Sequence, residues 1–189
     1  IKKINLIIVS SELKNKGFSV FTPKEFRQIF NVSSGAAGQL IHRYTKKNIF
    51  DKLRNGLYLL KDKPLPMYFI ANKLYRPSYV SLETALSYYG IIPETVYSVT
   101  SVTSKPTREF DALGMNFTYT RIKQETFQGY ITQKEDDHAY FIAEPEKALA
   151  DYLYLVSIGK RSWNDRFYLK NISREKLAFY TNLFERKSL

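Results

Sequence analysis

The chain has 189 residues, 44% of them hydrophobic and 15% aromatic (15 Tyr, 13 Phe), enough to bury a real core in one large domain or two small ones. With no cysteine and only two histidines far apart in sequence, His42 and His138, disulfides and thiolate metal sites are excluded and no metal site or cofactor is expected. The formal net charge of +11 is uneven: residues 1–63 hold 13 Lys/Arg against 4 Asp/Glu, a net +9, while residues 64–189 hold 16 against 14, a net +2, so the first third is expected to meet a polyanion.

In chain order, Ile4 to Leu13 is apolar at roughly helical spacing, and Gly17 is its stop. Phe18 to Phe21 alternates as a short strand does. Thr22-Pro23-Lys24-Glu25 then predicts a helix start. Thr22 is the cap, Pro23 takes the first turn and Glu25 closes a capping box. Phe26, Ile29 and Phe30 mark its inward face, and Asn31-Val32-Ser33 breaks it.

The next helix is predicted from Ser34 to about Lys47, with Ala37, Leu40, Ile41 and Tyr44 as one apolar stripe. Its opposite face collects Gly35, Gly38, Gln39, His42, Arg43 and Lys46, donors suited to phosphates and base edges. Gly38 reads equally as a seat for a neighbouring helix or as room for a DNA backbone. Two apolar segments follow, Ile49–Leu53 and Leu57–Leu60, around Asn55-Gly56, whose residue types suit a type I′ hairpin turn. Lys52, Arg54 and Asn55 would decorate that hairpin. Helix, strand, helix, turn, helix and basic hairpin is the order of a winged helix-turn-helix that reads double-stranded DNA. Its expected DNA-binding residues are Ser34, Gln39, His42, Arg43, Lys46, Lys47, Lys52, Arg54 and Asn55.

Lys61 to Pro66 is the expected joint between a first domain of residues 1–63 and a second of 64–189. The second begins with helices over Met67–Tyr75 and from Ser81, the latter ended by Gly90. Val96–Thr103, Phe117–Ile122 and Ala139–Ile142 are β-branched and aromatic at strand length. Helices return at Pro145–Val156 and Arg174–Glu185. The expected fold class is α+β, a winged helix-turn-helix followed by a helical and mostly antiparallel β domain. No nucleotide-loop, nucleophile-elbow or paired-histidine motif is present, and no enzyme activity is expected. Glu109, Asp111, Asp136 and Asp137 offer an enzymatic alternative, a Mg²⁺-dependent nuclease. Arg108, placed between strands, and Lys147 stand as candidate partner contacts.

The stretch Tyr79-Val80-Ser81-Leu82-Glu83-Thr84-Ala85-Leu86-Ser87-Tyr88-Tyr89-Gly90-Ile91-Ile92-Pro93-Glu94 resembles the AbiEi-family antitoxins of type IV toxin–antitoxin systems. The likeness extends through Ser98–Thr103, Arg108-Glu109-Phe110, Phe117–Ile122 and Ile142–Asp151, with Leu53–Tyr58 resembling the family's wing. It implies an N-terminal unit that binds inverted repeats in its own promoter, as a dimer on DNA if the two-fold symmetry is matched. It also implies a C-terminal domain that counteracts a nucleotidyltransferase-like toxin without a stable complex. A transcriptional regulator whose second domain senses a ligand or dimerises is the alternative. The chain opens on Ile1 rather than Met, so residues are expected ahead of it. Nothing in it reads as a signal peptide, no apolar run approaches the ~20 residues of a membrane span, and a cytoplasmic location is expected.

Overall fold

The computed structural model describes residues 5–185, and the chain divides into two compact units, Ile1–Pro64 and Leu65–Leu189. The chain is mixed α and β. Among the described residues no helix is long and apolar enough to cross a membrane.

The first unit opens on α1 (Leu6–Asn15), which begins one residue after the Asn5 carboxamide oxygen that accepts from the Ile8 N–H at 3.0 Å. Ile4, where the apolar pattern starts, lies outside the described residues. Val9 and Leu13, one turn apart, are fully buried, and Gly17 leaves the helix at a φ of 72°. A short strand β1 (Val20–Phe21) leads to α2 (Pro23–Phe30). Its start is the capping box that the sequence predicts: the Thr22 hydroxyl accepts from the Glu25 N–H at 3.3 Å, and the Glu25 carboxylate accepts from the Thr22 N–H at 2.7 Å. Asn31, left-handed at a φ of 49°, ends α2, and the Ser33 hydroxyl caps α3 (Ser34–Lys46) by accepting from the Ala36 N–H at 3.2 Å.

Strands β2 (Phe50–Arg54) and β3 (Leu57–Leu60) form a hairpin, and β1 joins the outer side of β3 in an antiparallel sheet of order β1-β3-β2. Phe50 sits under the helices, with ring centroids 4.9 Å from Phe21 and 5.6 Å from Tyr44. Such a ring contributes ~1.5–3 kcal/mol by burial. Val9, Leu13, Phe26, Ala37, Ile41 and Leu60 complete this core.

The second unit runs α4 (Met67–Leu74), β4 (Ser78–Val80), α5 (Leu82–Tyr88), β5 (Ser98–Thr103), β6 (Arg108–Ala112), β7 (Met115–Arg121), a short 3₁₀ turn at Gln124–Thr126, β8 (Tyr130–Glu135), β9 (His138–Ala143), α6 (Pro145–Ser157) and α7 (Arg174–Asn182). The strands make one six-stranded sheet of order β6-β7-β5-β4-β9-β8. It is mixed, with three of its five pairings antiparallel. β4–β5, β6–β7 and β8–β9 pair antiparallel, while β5–β7 and β4–β9 pair parallel. The two hairpins, β6–β7 and β8–β9, lie at opposite sides of the β5–β4 centre. In each, the inner strand (β7 or β9) runs parallel to the central strand it meets.

Three of these strands are not visible as such in the sequence. β6 and β8 are the sheet edges, where polar residues stand in water on both faces, and β4 is three buried residues with no alternation. Arg108 therefore opens an edge strand and does not lie between strands. The α7 helix ends at Asn182, short of the Glu185 expected, and Tyr180 and Phe184 close a small cluster against Ala150.

A candidate nucleic-acid interface on the first unit

Helix α3 divides cleanly. Ala37, Ile41 and Tyr44 are buried and Leu40 is half-buried, so the predicted stripe faces the core. Ser34, Gly35, Gly38, Gln39, His42, Arg43, Lys46 and Lys47 are all exposed. The helix leaves through Asn48, left-handed at a φ of 58°, and Ile49 N–H returns to the Tyr44 carbonyl at 3.0 Å.

The charges around this face have a simple arrangement. The four acids of the unit are all engaged by residues outside α3. Glu25 closes the capping box of α2, and Glu12 pairs with Lys16 at 3.9 Å. Asp51 pairs with Lys61 at 3.4 Å, and Asp62 with Lys14 at 2.7 Å. Gln39, His42, Arg43, Lys46, Lys47 and Lys52 have no side-chain hydrogen bond or ion pair among the described residues, and each stands exposed. The surface that α3 offers is thus rich in unspent donors and free of carboxylates.

Gly35 and Gly38 sharpen this. A β-carbon added at either would meet no atom within 4 Å. Gly38 is therefore not a seat for a neighbouring helix, since nothing in the unit approaches it. A glycine inside an exposed helix costs roughly 1 kcal/mol against alanine, and folding does not account for that cost here.

The hairpin carries Lys52, Arg54 and Asn55, but its turn departs from the expected type. Gly56 has a φ of 73°, whereas Asn55 is not left-handed as a type I′ turn requires. Instead the register shifts between Lys52 and Arg54, so Leu53 forms a bulge. Phe50 and Leu53, three residues apart, would face opposite ways in a regular strand. The bulge lets both be buried, at 1% and 2% exposure. It leaves Lys52 exposed and Arg54 half-buried beside the tip, with the Arg54 guanidinium donating to the Asn55 carbonyl at 3.0 Å. Type I′ geometry, with both turn residues left-handed, occurs elsewhere, at Leu113-Gly114 and Asp136-Asp137.

The exposed side of α2 adds Lys24, Arg27 and Gln28. The sequence carried a signal for them, because Phe26, Ile29 and Phe30 already define the opposite face.

The two candidates in the second unit part ways. Arg108 is exposed on the edge strand β6. Lys147 has no exposed surface and cannot touch a partner. Its ammonium pairs with Asp151 one turn along α6 and lies over the Phe184 ring at 4.9 Å. Asp151 accepts in turn from the Ser81 hydroxyl at 2.8 Å and the Tyr79 hydroxyl at 3.0 Å. Burial pushes the Asp151 carboxyl up, outweighing Lys147 and the two hydroxyls, and burial beside that carboxylate pushes the Tyr79 hydroxyl well up. The pair tethers α6 to the segment Tyr79–Ser81 through a network whose charges are matched.

The four carboxylates of the nuclease reading do not converge. Glu109 and Asp111 lie on β6 at one edge of the sheet, both accepting from the Asn116 amide, at 2.7 and 2.9 Å. Asp136 and Asp137 form the turn between β8 and β9 at the other. Among the described residues no group of three or more His, Cys, Asp and Glu could hold a metal ion. No family model matches this chain, and no curated protein matches it.

Proposed function

We propose that the first unit is a winged helix-turn-helix that binds double-stranded DNA, with α3 entering the major groove and the β2–β3 hairpin flanking it as the wing. The observation that carries this reading is the uncompensated face of α3. Arg43, Lys46, Lys47 and Lys52 stand exposed while every acid of the unit is engaged elsewhere. Partnered cations would serve stability. Unpartnered ones around a helix with two open glycines suit a phosphate backbone, where neutralising each phosphate releases counterions.

On the resemblance to AbiEi antitoxins, the chain is a repressor of its own operon and an antitoxin. It recognises promoter inverted repeats, and its second unit counteracts a nucleotidyltransferase-like toxin without a stable complex. Two copies on an inverted repeat would place their recognition helices ~34–36 Å apart or a multiple of that.

The test is titration of a promoter fragment across a salt series. Arg43→Ala and Lys46→Ala each weaken binding and lower the slope of log K against log salt by ~1. Unchanged slope and affinity in both would refute the choice of helix face. Co-expression with the adjacent open reading frame tests the second half of the proposal. Rescue from toxicity is expected, and DNA binding without rescue would leave a regulator that is not an antitoxin.

A further inference from the structure

The second unit holds a cavity of about 410 Å³ between α4 and the sheet face of β8 and β9, a volume that suits a small organic ligand. Its walls are aromatic: Phe69 from α4, Phe127 after the 3₁₀ turn, Tyr130 at the start of β8 and Phe141 on β9. Phe141 and Tyr130 are 44% and 38% exposed, much for rings of this size beside a concave surface. The Tyr130 ring stands edge-on to Phe141 at 5.5 Å and tilted against Phe127 at 5.6 Å, so the three form a continuous wall.

Two cations share this cavity. The Lys73 ammonium lies 4.9 Å from the Phe69 ring centre. Arg76 is exposed, with its Nε donating to the Asn72 carbonyl at 3.3 Å, which aims the guanidinium from the end of α4. No carboxylate lines the cavity. Two other hollows of the unit are of a different kind. One is lined by Glu83 and Glu94 beside Arg161, and the other carries Glu135 and no cation. The walls are also held in place: the Asn72 side-chain amide bonds the backbone N–H and carbonyl of Phe141, tying α4 to β9 across the floor.

An aromatic wall with two adjacent cations and no carboxylate in its lining matches a ligand with one planar apolar part and one anionic part. We infer that this cavity binds a nucleoside phosphate, the base stacking on the Phe141 ring with the Tyr130 ring edge-on beside it and backed by Tyr79, and the phosphate meeting Arg76 and Lys73. The ligand is a free mononucleotide or the phosphorylated end of a strand, which share this chemistry. The site lies wholly within the second unit and does not depend on the DNA-binding proposal.

The experiment is calorimetric titration of the full chain with AMP, adenosine, inorganic phosphate and a short single strand bearing a 5′-phosphate, repeated on Arg76→Gln and Phe141→Leu. AMP binds, while adenosine and phosphate each bind at least about tenfold more weakly, because each keeps only half of the contacts. Arg76→Gln weakens AMP about tenfold through loss of a charge-assisted bond, and Phe141→Leu weakens it about fivefold or more through loss of stacking. Arg76 is exposed and Phe141 is replaced by an apolar residue, so both variants fold, as an unchanged unfolding midpoint would verify. If the strand binds more tightly than AMP, and that binding falls in Arg76→Gln, the site is a strand-end site. Absence of AMP binding, equal binding of phosphate alone, or AMP affinity unchanged in both variants would overturn the inference.

Discussion

Lys46 near the end of α3 and Lys147 in the first turn of α6 are both helical lysines beside apolar stripes, yet they have opposite surroundings. Lys46 is exposed and has no partner among the described residues. Lys147 is fully buried, paired with Asp151 and roofed by the Phe184 ring. The first unit leaves the cations Arg43, Lys46, Lys47 and Lys52 unmatched on the surface among the described residues. The second encloses one and matches it completely. The contrast teaches that a basic residue identifies a binding surface only when its unit has left it without an acid. Net charge along the chain approximates that condition but does not establish it.

The comparison can be broken most forcefully at Asp151. Asp151→Ala leaves the Lys147 ammonium buried and unpaired, and urea unfolding should report a loss of ~3–5 kcal/mol. Replacing both members, Lys147→Met with Asp151→Leu, should cost less than Asp151→Ala alone. A double variant as unstable as the single would mean the charges are not what holds this site. In the first unit the largest effect belongs to the bulge. Leu53→Ala removes a buried side chain held inward by the register shift, with an expected loss of ~2–5 kcal/mol and weaker DNA binding as the hairpin loosens.

Gly38→Ala separates folding from function. It should stabilise the free protein by up to ~1 kcal/mol, since nothing blocks the added methyl and alanine is the better helix former, while lowering affinity for DNA. A rise in both would show that no backbone approaches Gly38. Lys46→Ala should change stability by less than ~0.5 kcal/mol because it loses no internal partner, in contrast to Asp151→Ala.

The smallest effect is alkaline. Tyr180 is pushed from 10.0 up to about 12, first by burial and then by its hydrogen bond to Glu144. Between these values the unfolded chain has lost the proton and the folded chain keeps it, so stability is full below pH 10 and falls as pH rises towards 12. Tyr180→Phe should flatten part of that fall in an unfolding series at high pH. An identical pH profile would remove Tyr180 from the account.

Much of the first unit was legible from residue order. Thr22 and Glu25 close a capping box within three residues, and Ala37, Ile41 and Tyr44 share a face by helical period, so no distant contact is needed to place them. The residue types at Asn55-Gly56 place the turn but not its type, because the bulge that buries Phe50 and Leu53 together depends on packing against the rest of the unit. In the second unit the edge strands β6 and β8 were not visible. Their polar composition reflects a position at the rim of a sheet, and that position exists only once β7 and β9 are in place. The mixed pairing was hidden for the same reason, since strand direction depends on how hairpins dock.

By itself, then, the sequence determined the local elements of the first unit and the concentration of positive charge there, because caps, helical faces and charge counts depend on neighbours a few residues away. The tertiary structure alone decided which charges are spent. It turned Lys147 inward, set Glu109 and Asp111 at the opposite edge of the sheet from Asp136 and Asp137, and left the α3 face without a carboxylate. It also gathered Phe69, Lys73, Arg76 and Phe141 around one cavity. Burial and ion pairing join residues far apart in the chain, and long-range packing settles which of them meet.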